Sequence, residues 1–416
     1  DRHTLSFKNL LGHSAEESFL TGYKSLNNLI YRHVLEWEEK NQLTSSLGGT
    51  HGLPVGGDVT FDWLVFYNEN SAKEPDLRWI DYNIDANPPV MNINRRHWLD
   101  LDEYRRGVDA SLRWRFGDVD RPTALEAGLT LSTRRRHSNH RPYNMGRPVA
   151  DPTADGRIFL PPDRIFAPEN FKEEFFTLRY QDQFEASYDG THASDAYYLM
   201  LDAPFDVMQE EFRLTGGARI ETAQYAVDAY DKGIDATISA RSRTTDLLPS
   251  LNLTYMYDEW TNVRFAYFGS VNYPDLRELA AVNSVDLVED YQVRGNPDLR
   301  RARIANYDLR LERFPTYGEV MAVSFFYKDM RDAIESKLIY SSAYVDRFEF
   351  FNSDGENYGY ELELRKKLGF LGTAFSDITL QANFTRVWST VEFPVLENPE
   401  SGSESVDTVL GTRQVQ

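Results

Sequence analysis

The sequence predicts an all-β fold, an antiparallel transmembrane β-barrel. The first observation is a two-residue alternation of apolar and polar side chains, clearest in residues 108–116, VDASLRWRF. Successive side chains of a strand point to opposite faces, so this segment has one apolar face and one charged face. The second observation is that brief turns alternate with long polar connections, as periplasmic turns and extracellular loops do in a membrane barrel.

Thirteen segments carry this alternation, and each is predicted to be a strand. They are 4–11, 29–52, 59–72, 102–116, 123–138, 191–204, 210–229, 243–258, 262–272, 301–314, 319–337, 356–369 and 376–391. Most reach the length of about 9–11 residues with which a tilted strand crosses a bilayer. Single-chain bacterial barrels have even strand numbers, so thirteen strands predict an incomplete barrel, one domain over residues 1–416. No closing strand is predicted before Gln416.

The connections between these strands fall into two classes. Short turns rich in Pro, Gly and Asp are predicted at 54–58, 117–122, 203–206, 258–261, 314–318 and 368–373. Long polar connections are predicted at 12–28, 73–101, 139–190, 230–242, 273–300 and 338–355. A soluble β-sandwich is the alternative, in which the apolar faces meet a second sheet. A sandwich has no reason to sort its connections by length, so the alternation favours the barrel.

Composition excludes several classes of protein. The chain contains no Cys, which excludes a disulfide framework and thiolate zinc sites. The formal net charge of −20 argues against binding nucleic acid, because phosphate recognition needs clustered Lys and Arg. The chain lacks the run of about 18 apolar residues that predicts a transmembrane helix, and it opens without a signal peptide. Aromatic residues make up 13%, which suits the aromatic girdles of a membrane barrel.

Six sequence blocks resemble segments of the TonB-dependent outer-membrane receptors. They are LLPSLNLTY at 247–255, YPDLRELA at 273–280, GNPDL at 295–299, NYDLRLE at 306–312, FFYKDM at 325–330 and GYELE at 359–363. The blocks follow the order and spacing of the family, and the resemblance covers about residues 190–390. Tyr273-Pro274 stands where the family usually has Arg-Pro.

The resemblance implies a 22-stranded barrel in the bacterial outer membrane, filled by an N-terminal plug. It also implies import of a scarce nutrient, such as a siderophore, with energy from the TonB complex. On this basis the chain holds about 13 of 22 strands, and the plug, the TonB box and the last strands are expected to be absent from it.

The expected partners are the TonB complex through the plug, outer-membrane lipid and lipopolysaccharide, and a small nutrient ligand. No enzymatic activity, cofactor, metal or nucleic acid is expected. An outer-membrane barrel enzyme or adhesin and a soluble β-rich carbohydrate-binding protein are the alternatives. Which nutrient is carried is left open, because the loops choose the ligand in this architecture.

The densest polar cluster is predicted where a strand leaves the membrane for the longest loop. Its candidate ligand-binding residues are Arg134, Arg136, His137, His140, Arg141 and Tyr143. Arg and His at the mouth of an acidic protein can hold an anionic ligand, such as a siderophore carboxylate or a phosphate, through charge-assisted hydrogen bonds. A solvated strand extension, or pairing with lipopolysaccharide phosphates, is the alternative. No third ligand accompanies the two histidines, so no metal site is predicted.

Other charged residues are expected to have structural roles. The arginines predicted to face the lumen are Arg113, Arg115, Arg264, Arg310 and Arg365. We expect them to balance carboxylates across the lumen wall, namely Asp109, Glu126, Asp308, Glu361 and Glu363. Residues 295–297 are predicted to form a turn that launches a strand, and Arg277 and Glu278 are expected to pair with each other or with neighbouring strands. The stretch 151–156 is predicted to be a turn rather than a calcium loop.

Overall fold

The computed structural model describes residues 3–25, 29–55, 58–146, 156, 159–165, 167–170, 177–181, 186–231, 234–286, 291–339, 347–394 and 408–412. Within these ranges, seventeen strands belong to one sheet. They are β1 (His3–Ser25), β2 (Leu29–Leu53), β3 (Asp58–Asn83), β4 (Val90–Gly117), β5 (Pro122–Gly146), β6 (Thr177–Tyr180), β7 (Tyr188–Val207), β8 (Glu210–Asp231), β9 (Ala236–Asp258), β10 (Thr261–Asn272), β11 (Asn283–Asp286), β12 (Tyr291–Arg294), β13 (Ala302–Arg313), β14 (Val320–Ile339), β15 (Arg347–Lys367), β16 (Thr379–Pro394) and β17 (Thr408–Thr412).

Helical structure in these ranges is confined to single turns. The α-helices are α1 (Pro162–Ile165) and α2 (Leu276–Leu279), and the 3₁₀ helices are Pro168–Asn170, Leu368–Leu371 and Thr373–Phe375. A helix able to span a bilayer would have to be much longer and more apolar than any of those described.

The predicted all-β class and all thirteen predicted strands are confirmed. They correspond to β1–β5, β7–β10 and β13–β16, while β6, β11, β12 and β17 are short additions. Several predicted connections are shorter than expected because the strands continue into them. Residues 73–83 belong to β3 and 90–101 to β4, so only 84–89 connect these two strands. Apolar side chains lie on both faces there, Leu77 inside and Ile80 outside, and the two-residue alternation that marks the rest of the strand is lost.

The long strands form an antiparallel meander in chain order. Each pairs with the next along the chain, apart from two skips, where β5 pairs with β7 and β10 pairs with β13. The hairpin of β11 and β12 lies between β10 and β13 in sequence, and β12 runs parallel to the start of β15. Residues far apart in sequence are therefore brought to the same end of the sheet.

The apolar rows lie on the outer face of this sheet. Trp114 is 42% exposed and Phe265 is 39% exposed, and Leu129 is half-buried. The soluble sandwich is wrong, because in a sandwich these side chains would be buried under a second sheet. An exposed apolar band with a polar opposite face is the arrangement of a strand between lipid and an aqueous lumen.

Aromatic side chains mark the two edges of this apolar band. Tyr267, Tyr307, Tyr327, Tyr358 and Trp388 stand directly opposite one another on five neighbouring strands. Phe205, Phe212 and Tyr255 stack near the short turns, with ring centroids 5.5 and 4.8 Å apart. Such girdles lie at the two membrane interfaces. We therefore treat the roughly eleven residues of each strand nearest its short turn as membrane-spanning, and the rest as the extracellular half.

Candidate functional site

Strand β5 divides the six candidate ligand-binding residues between two faces. Side chains alternate along a strand, so Arg134, Arg136 and His140 point into the lumen with Glu126, whereas His137, Arg141 and Tyr143 point outward with Leu131. The sequence prediction treated them as one cluster. The structure places them all in the extracellular half but does not bring them together into one site.

The outward group is engaged with neighbouring strands. His137 Nδ1 lies 2.8 Å from a carboxylate oxygen of Asp189, and Arg141 donates to Asp100 at 3.0 Å. The Tyr143 ring packs edge-on against Trp98, with ring centroids 5.2 Å apart. These contacts stabilise the outer wall above the membrane band.

The lumen-facing arginines hold a carboxylate from another part of the chain. Arg136 donates to Glu103 on β4 at 2.7 Å and to Asp275 at 2.7 Å, and Arg134 donates to Asp275 at 3.4 Å. Burial acts to raise the pKa of Asp275, but the Arg277 amide, Arg136 and Arg134 outweigh it and hold the pKa below its ordinary value. Asp275 is therefore ionised, and its ion pairs with Arg134 and Arg136 hold it against β5.

Asp275 belongs to the connection between β10 and β13, residues 273–301, which we call the inner connection. Asp275 is the N-cap of α2 and accepts from the Arg277 amide at 2.9 Å, while Glu278 accepts from the Asp275 amide at 2.8 Å. This reciprocal pattern is a capping box. The Arg277 guanidinium donates to the carbonyls of Ala280 and Val293 at 3.3 and 2.9 Å. Of the two alternatives expected for Arg277, pairing with Glu278 is not seen, and the contact with a neighbouring strand is made at Val293 of β12.

The second half of the inner connection closes back on α2. A Cβ at Gly295 would collide with the carbonyl of Ala280, so this close approach requires glycine. Asn296 donates its amide to the Glu278 carbonyl at 2.6 Å and its side chain to the Phe350 carbonyl at 3.0 Å. The Leu299 amide donates back to the Asn296 carbonyl at 3.3 Å, and β13 begins three residues later. The predicted strand-launching turn is present.

Apolar packing holds the inner connection inside the lumen. Its buried side chains are Leu276, Leu279, Ala280 and Val282. They pack on the lumen face of β7–β9, at Tyr188, Tyr225, Val227 and Ala240 among others. Leu276 occupies the space that Gly190 leaves by lacking a side chain. The connection is therefore a packed element of the extracellular half rather than a free loop.

A pair of buried histidines lies near this element. His97 Nδ1 on β4 is 2.8 Å from His140 Nε2 on β5. Burial, then the neighbouring charges of His140 and Arg95, lower the pKa of His97 to about 3. His97 is therefore neutral at physiological pH. No group of three or more His, Asp or Glu side chains in the described ranges is arranged to hold a metal ion.

A cavity of about 470 Å³ separates the inner connection from the wall formed by β2–β7. We call it the extracellular cavity. Its apolar lining comes from Val34, Leu77, Leu99, Leu101 and Ala186. Its polar lining comes from Glu36, Glu74, His97, Arg136, Ser138, His140, Tyr188, Arg277 and Ser284. A cavity of this size and mixed lining is suited to a small-molecule ligand.

The predicted lumen-facing arginines lie on the lumen face. The ion pairs are Arg113 with Glu126 (3.9 Å) and Asp202 (3.7 Å), Arg115 with Asp58 (3.2 Å), Arg264 with Glu312 (2.7 Å), and Arg310 with Glu312 (2.9 Å) and Glu363 (2.7 Å). Glu126 and Glu363 are carboxylates that the sequence prediction named. Of the side chains described, Arg365 forms no ion pair, and Asp109, Asp308 and Glu361 pair with none of these arginines. Residues 151–155 of the predicted turn lie outside the described residues.

A family model for the TonB dependent receptor-like, beta-barrel domain matches residues 12–409. The chain belongs to the TonB-dependent receptors. This match covers nearly the whole chain and confirms the resemblance drawn from six short blocks. Receptors of this family are proteins of the Gram-negative outer membrane, so the predicted localisation is confirmed as well.

Solved structures of receptors resemble this TonB-dependent receptor chain only distantly. The siderophore receptor PiuA from Acinetobacter baumannii is 11% identical, with a TM-score of 0.47 over 97% of this chain and 66% of that one. The ferric citrate transporter FecA, in its unliganded form, is 12% identical, with a TM-score of 0.46 over 94% of this chain and 59% of that one. The alcaligin receptor FauA from Bordetella pertussis is 11% identical, with a TM-score of 0.40 over 98% of this chain and 62% of that one.

The chain thus spans about three fifths to two thirds of the length of these structures. No curated protein matches its sequence. The family assignment rests on the family model alone.

The receptor's cavity contains residues that sequence reasoning missed. Glu36, Glu74, His97 and Leu99 received no role, and the last three fall in the predicted connection 73–101. They meet because β2, β3 and β4 continue beyond the membrane band. The signal that could have found them is the pairing register of the hairpin, extended upward from its short turn.

Proposed function

We propose that this chain is the barrel region of an outer-membrane receptor that binds a scarce nutrient, siderophore-type or similar, and imports it with energy from TonB. The observation that carries the proposal is a polar lumen that holds a ligand-sized cavity in its extracellular half, in a chain of this receptor family. The family is one of receptors, and we propose no enzymatic activity for this chain.

Ligand contact is proposed for the lumen-facing part of the candidate cluster. Arg136 and His140 line the extracellular cavity, and Arg134 lies beside them. Both arginines are already bound to the Asp275 carboxylate. An anionic group of the ligand would therefore bind them by displacing that carboxylate. We propose that His137, Arg141 and Tyr143 do not touch the ligand and instead face lipopolysaccharide and solvent.

Uptake measurements test the proposal in the whole receptor. Cells that lack their own iron receptors would express the full-length gene and receive iron-55 complexes of hydroxamate, catecholate and carboxylate siderophores. We expect uptake of at least one complex, and loss of that uptake in a strain without TonB. Undiminished uptake without TonB would overturn energised import. A surface-exposed receptor that takes up none of the three classes would overturn the siderophore-type ligand.

Paired variants test which side of β5 meets the ligand. The lumen double variant R134A/R136A should weaken binding by at least about tenfold, since two charge-assisted contacts are lost. The outward double variant H137A/R141A is the matched control and should leave binding within about twofold. Weaker binding in the outward variant alone would overturn the assignment of the lumen face.

A further inference from the structure

The wall of the extracellular cavity is unusually apolar for a barrel lumen. Side chains that face an aqueous lumen are normally polar. Here Leu77, Leu99 and Leu101, with Val34 and Ala186, line one cavity. Apolar surface left in contact with water costs about 25 cal/mol per Å². A partner with its own apolar surface would therefore be stabilised in this cavity.

The two guanidinium groups that line the cavity already have hydrogen-bond partners. Arg136 donates to Glu103 and Asp275 at 2.7 Å. Arg277 donates to backbone carbonyls of the inner connection, at 2.9 Å in the case of Val293. The charge of Arg136 is therefore compensated, whereas Arg277 has its donors satisfied by neutral groups and keeps a charge that is unpaired within the described residues.

The acidic side chains of the cavity lack such compensation. Glu36 accepts a hydrogen bond from the Ser18 hydroxyl at 3.0 Å and forms no ion pair with a described residue. Glu74 has neither a hydrogen bond nor an ion pair to the side chains that the structure describes. The nearby Lys40 is bound to Glu38 instead, at 2.6 Å. Within the part of the chain that the structure describes, two unpaired carboxylates thus stand against one unpaired guanidinium. The net uncompensated charge of the cavity is negative, most of all at Glu74, on which Arg277 has no resolved effect.

The excess of negative charge around Glu74 shifts the pKa of its carboxyl group. Burial, then the negative charges of Glu36 and Glu38, raise the pKa of Glu74 to about 7, against a smaller opposing effect of Lys40. A nearby cation stabilises the ionised form of a half-buried carboxylate of this kind.

A histidine adds an unused hydrogen-bonding atom to the same wall. His97 lines the cavity, is only 4% exposed, and its Nε2 has no hydrogen-bond partner in the described part of the chain. Strand register places it close to the acid, because Glu74 stands opposite Leu99 and Leu77 stands opposite His97 in the β3–β4 pairing. Carboxylate, apolar side chain and imidazole thus share one small area of the lumen face.

We propose that the extracellular cavity binds the apolar arm of a ligand that ends in a protonated amine, with the ammonium group at Glu74 and Glu36 and the carbon skeleton against Leu77, Leu99 and Leu101. The ligand is taken to be the nutrient that the receptor imports, so the inference rests on the proposed function. It adds a cationic group to the anionic group proposed at Arg134 and Arg136, so the ligand would carry both charges.

Three small probes of one shape test the charge preference. Phenethylamine is cationic, 2-phenylethanol neutral and phenylacetate anionic at pH 8, and each would be titrated into the purified full-length receptor by calorimetry. We expect phenethylamine to bind, the alcohol to bind at least about tenfold more weakly, and phenylacetate not to bind. Equal affinity for all three, or preference for phenylacetate, overturns the proposal.

Isosteric variants test the residues. E74Q and E36Q remove a charge without changing shape, and each should weaken phenethylamine binding by about tenfold. E39Q is the matched control, because Glu39 lies on the opposite face of β2 and outside the cavity lining, and it should change affinity by less than about threefold. The heat-dependent gel shift of a folded barrel confirms folding of each variant. Unchanged affinity in folded E74Q and E36Q overturns the assignment.

Failure of this inference is distinguishable from failure of the proposed function. Absence of phenethylamine binding in a receptor that still performs TonB-dependent uptake would refute the amine site alone. Amine binding that depends on Glu74, in a receptor whose uptake does not depend on TonB, would refute energised import and leave the amine site standing.

Discussion

The two longest connections of this receptor are packed on opposite faces of the same sheet. The inner connection, 273–301, lies in the lumen against β7–β9. The connection between β5 and β7, 147–187, which we call the outer connection, places Leu160 and Ile165 against Ile80, Tyr82 and Met91. These three side chains are on the outer face of β3 and β4, above the membrane band.

The difference follows from the residues that each connection meets. The inner connection combines apolar side chains with Asp275, and the lumen face of β5 offers Arg134 and Arg136 to that carboxylate. In the outer connection, Leu160 and Ile165 make apolar contacts, and the Leu160 carbonyl accepts a hydrogen bond from the Tyr82 hydroxyl at 2.8 Å. Ion pairs therefore help to hold the inner connection in the lumen, whereas the outer connection is held on the outer face mainly by apolar contacts. The inner connection forms one side of the cavity, to which the outer connection contributes only Ala186 among the described residues.

The largest effect on this arrangement is expected from Leu276→Ala. Leu276 is fully buried, and truncating a buried leucine costs about 2–5 kcal/mol. The inner connection should open more often, so protease added to intact cells should cleave between residues 273 and 301 at least about tenfold faster. Mass spectrometry of the fragments locates the cuts.

Ile165→Ala is the matched change in the outer connection, because Ile165 is equally buried. It should accelerate cleavage of the outer connection and leave the inner one protected. If Ile165→Ala opens the inner connection as well, the two elements are not independent and the comparison fails.

Charge pairing on the two faces of β5 provides the next test. Arg136→Met keeps most of the apolar stem but removes the charge-assisted bonds to Glu103 and Asp275, each of about 1.5–3 kcal/mol, and the bond to Asp275 is the one that holds the inner connection. It should release the inner connection to protease by about tenfold. Arg141→Met removes the outward pair with Asp100, both of which are more than a third exposed, and should cost at most about 1 kcal/mol. Equal sensitivity to the two changes would contradict the distinction between the faces.

A pH titration sharpens the comparison, because Glu74, the acid with a strongly raised pKa, lies on the lumen side, in the wall of the extracellular cavity. Glu74 has a pKa of about 7, so it is mostly protonated at pH 6 and mostly ionised at pH 8. A cationic ligand favours the ionised form, and phenethylamine affinity should therefore rise up to about tenfold over this interval. The charged and titratable groups around the same cavity are Glu36, Glu38 and Lys40 on β2, His97 on β4, Arg136 and His140 on β5, Tyr188 on β7, and Arg277 in the inner connection.

The E74Q variant is the control for this titration. Its phenethylamine affinity should be low and independent of pH between 6 and 8. A pH dependence that persists in E74Q would assign the titration to another group, such as Glu36.

The sequence was sufficient to predict the membrane-spanning part of the fold. Lipid requires an apolar outer face, so segments such as 108–116 keep a strict two-residue alternation. Above the membrane both faces meet water or protein, and that constraint disappears. This is why β3 and β4 were predicted to end near residues 72 and 102, although they continue to Asn83 and from Val90.

The candidate site was predictable only in part. Arg134 to Tyr143 stand out as a polar cluster, but the strand was predicted to end at 138, so the alternation that separates the two faces was not applied beyond it. The cavity depends on strand register. β3 shifts its pairing with β4 between Glu74 and Leu77, and such a bulge redirects side chains in a way that periodicity cannot anticipate.

The smallest expected effect concerns single hydroxyl groups on the two sides. Tyr82→Phe removes the hydrogen bond to Leu160 from the outer connection, which costs about 0.5–1.5 kcal/mol. Cleavage near Leu160 should rise about threefold, with the inner connection and nutrient uptake unchanged.

Tyr225→Phe is the matched control on the lumen side, because the Tyr225 hydroxyl is buried without a hydrogen-bond partner among the described residues. Its removal should leave cleavage unchanged, since no bond is lost and a buried polar atom is relieved. A loss of protection equal to that of Tyr82→Phe would mean that the inner connection, too, is held by a phenolic hydrogen bond.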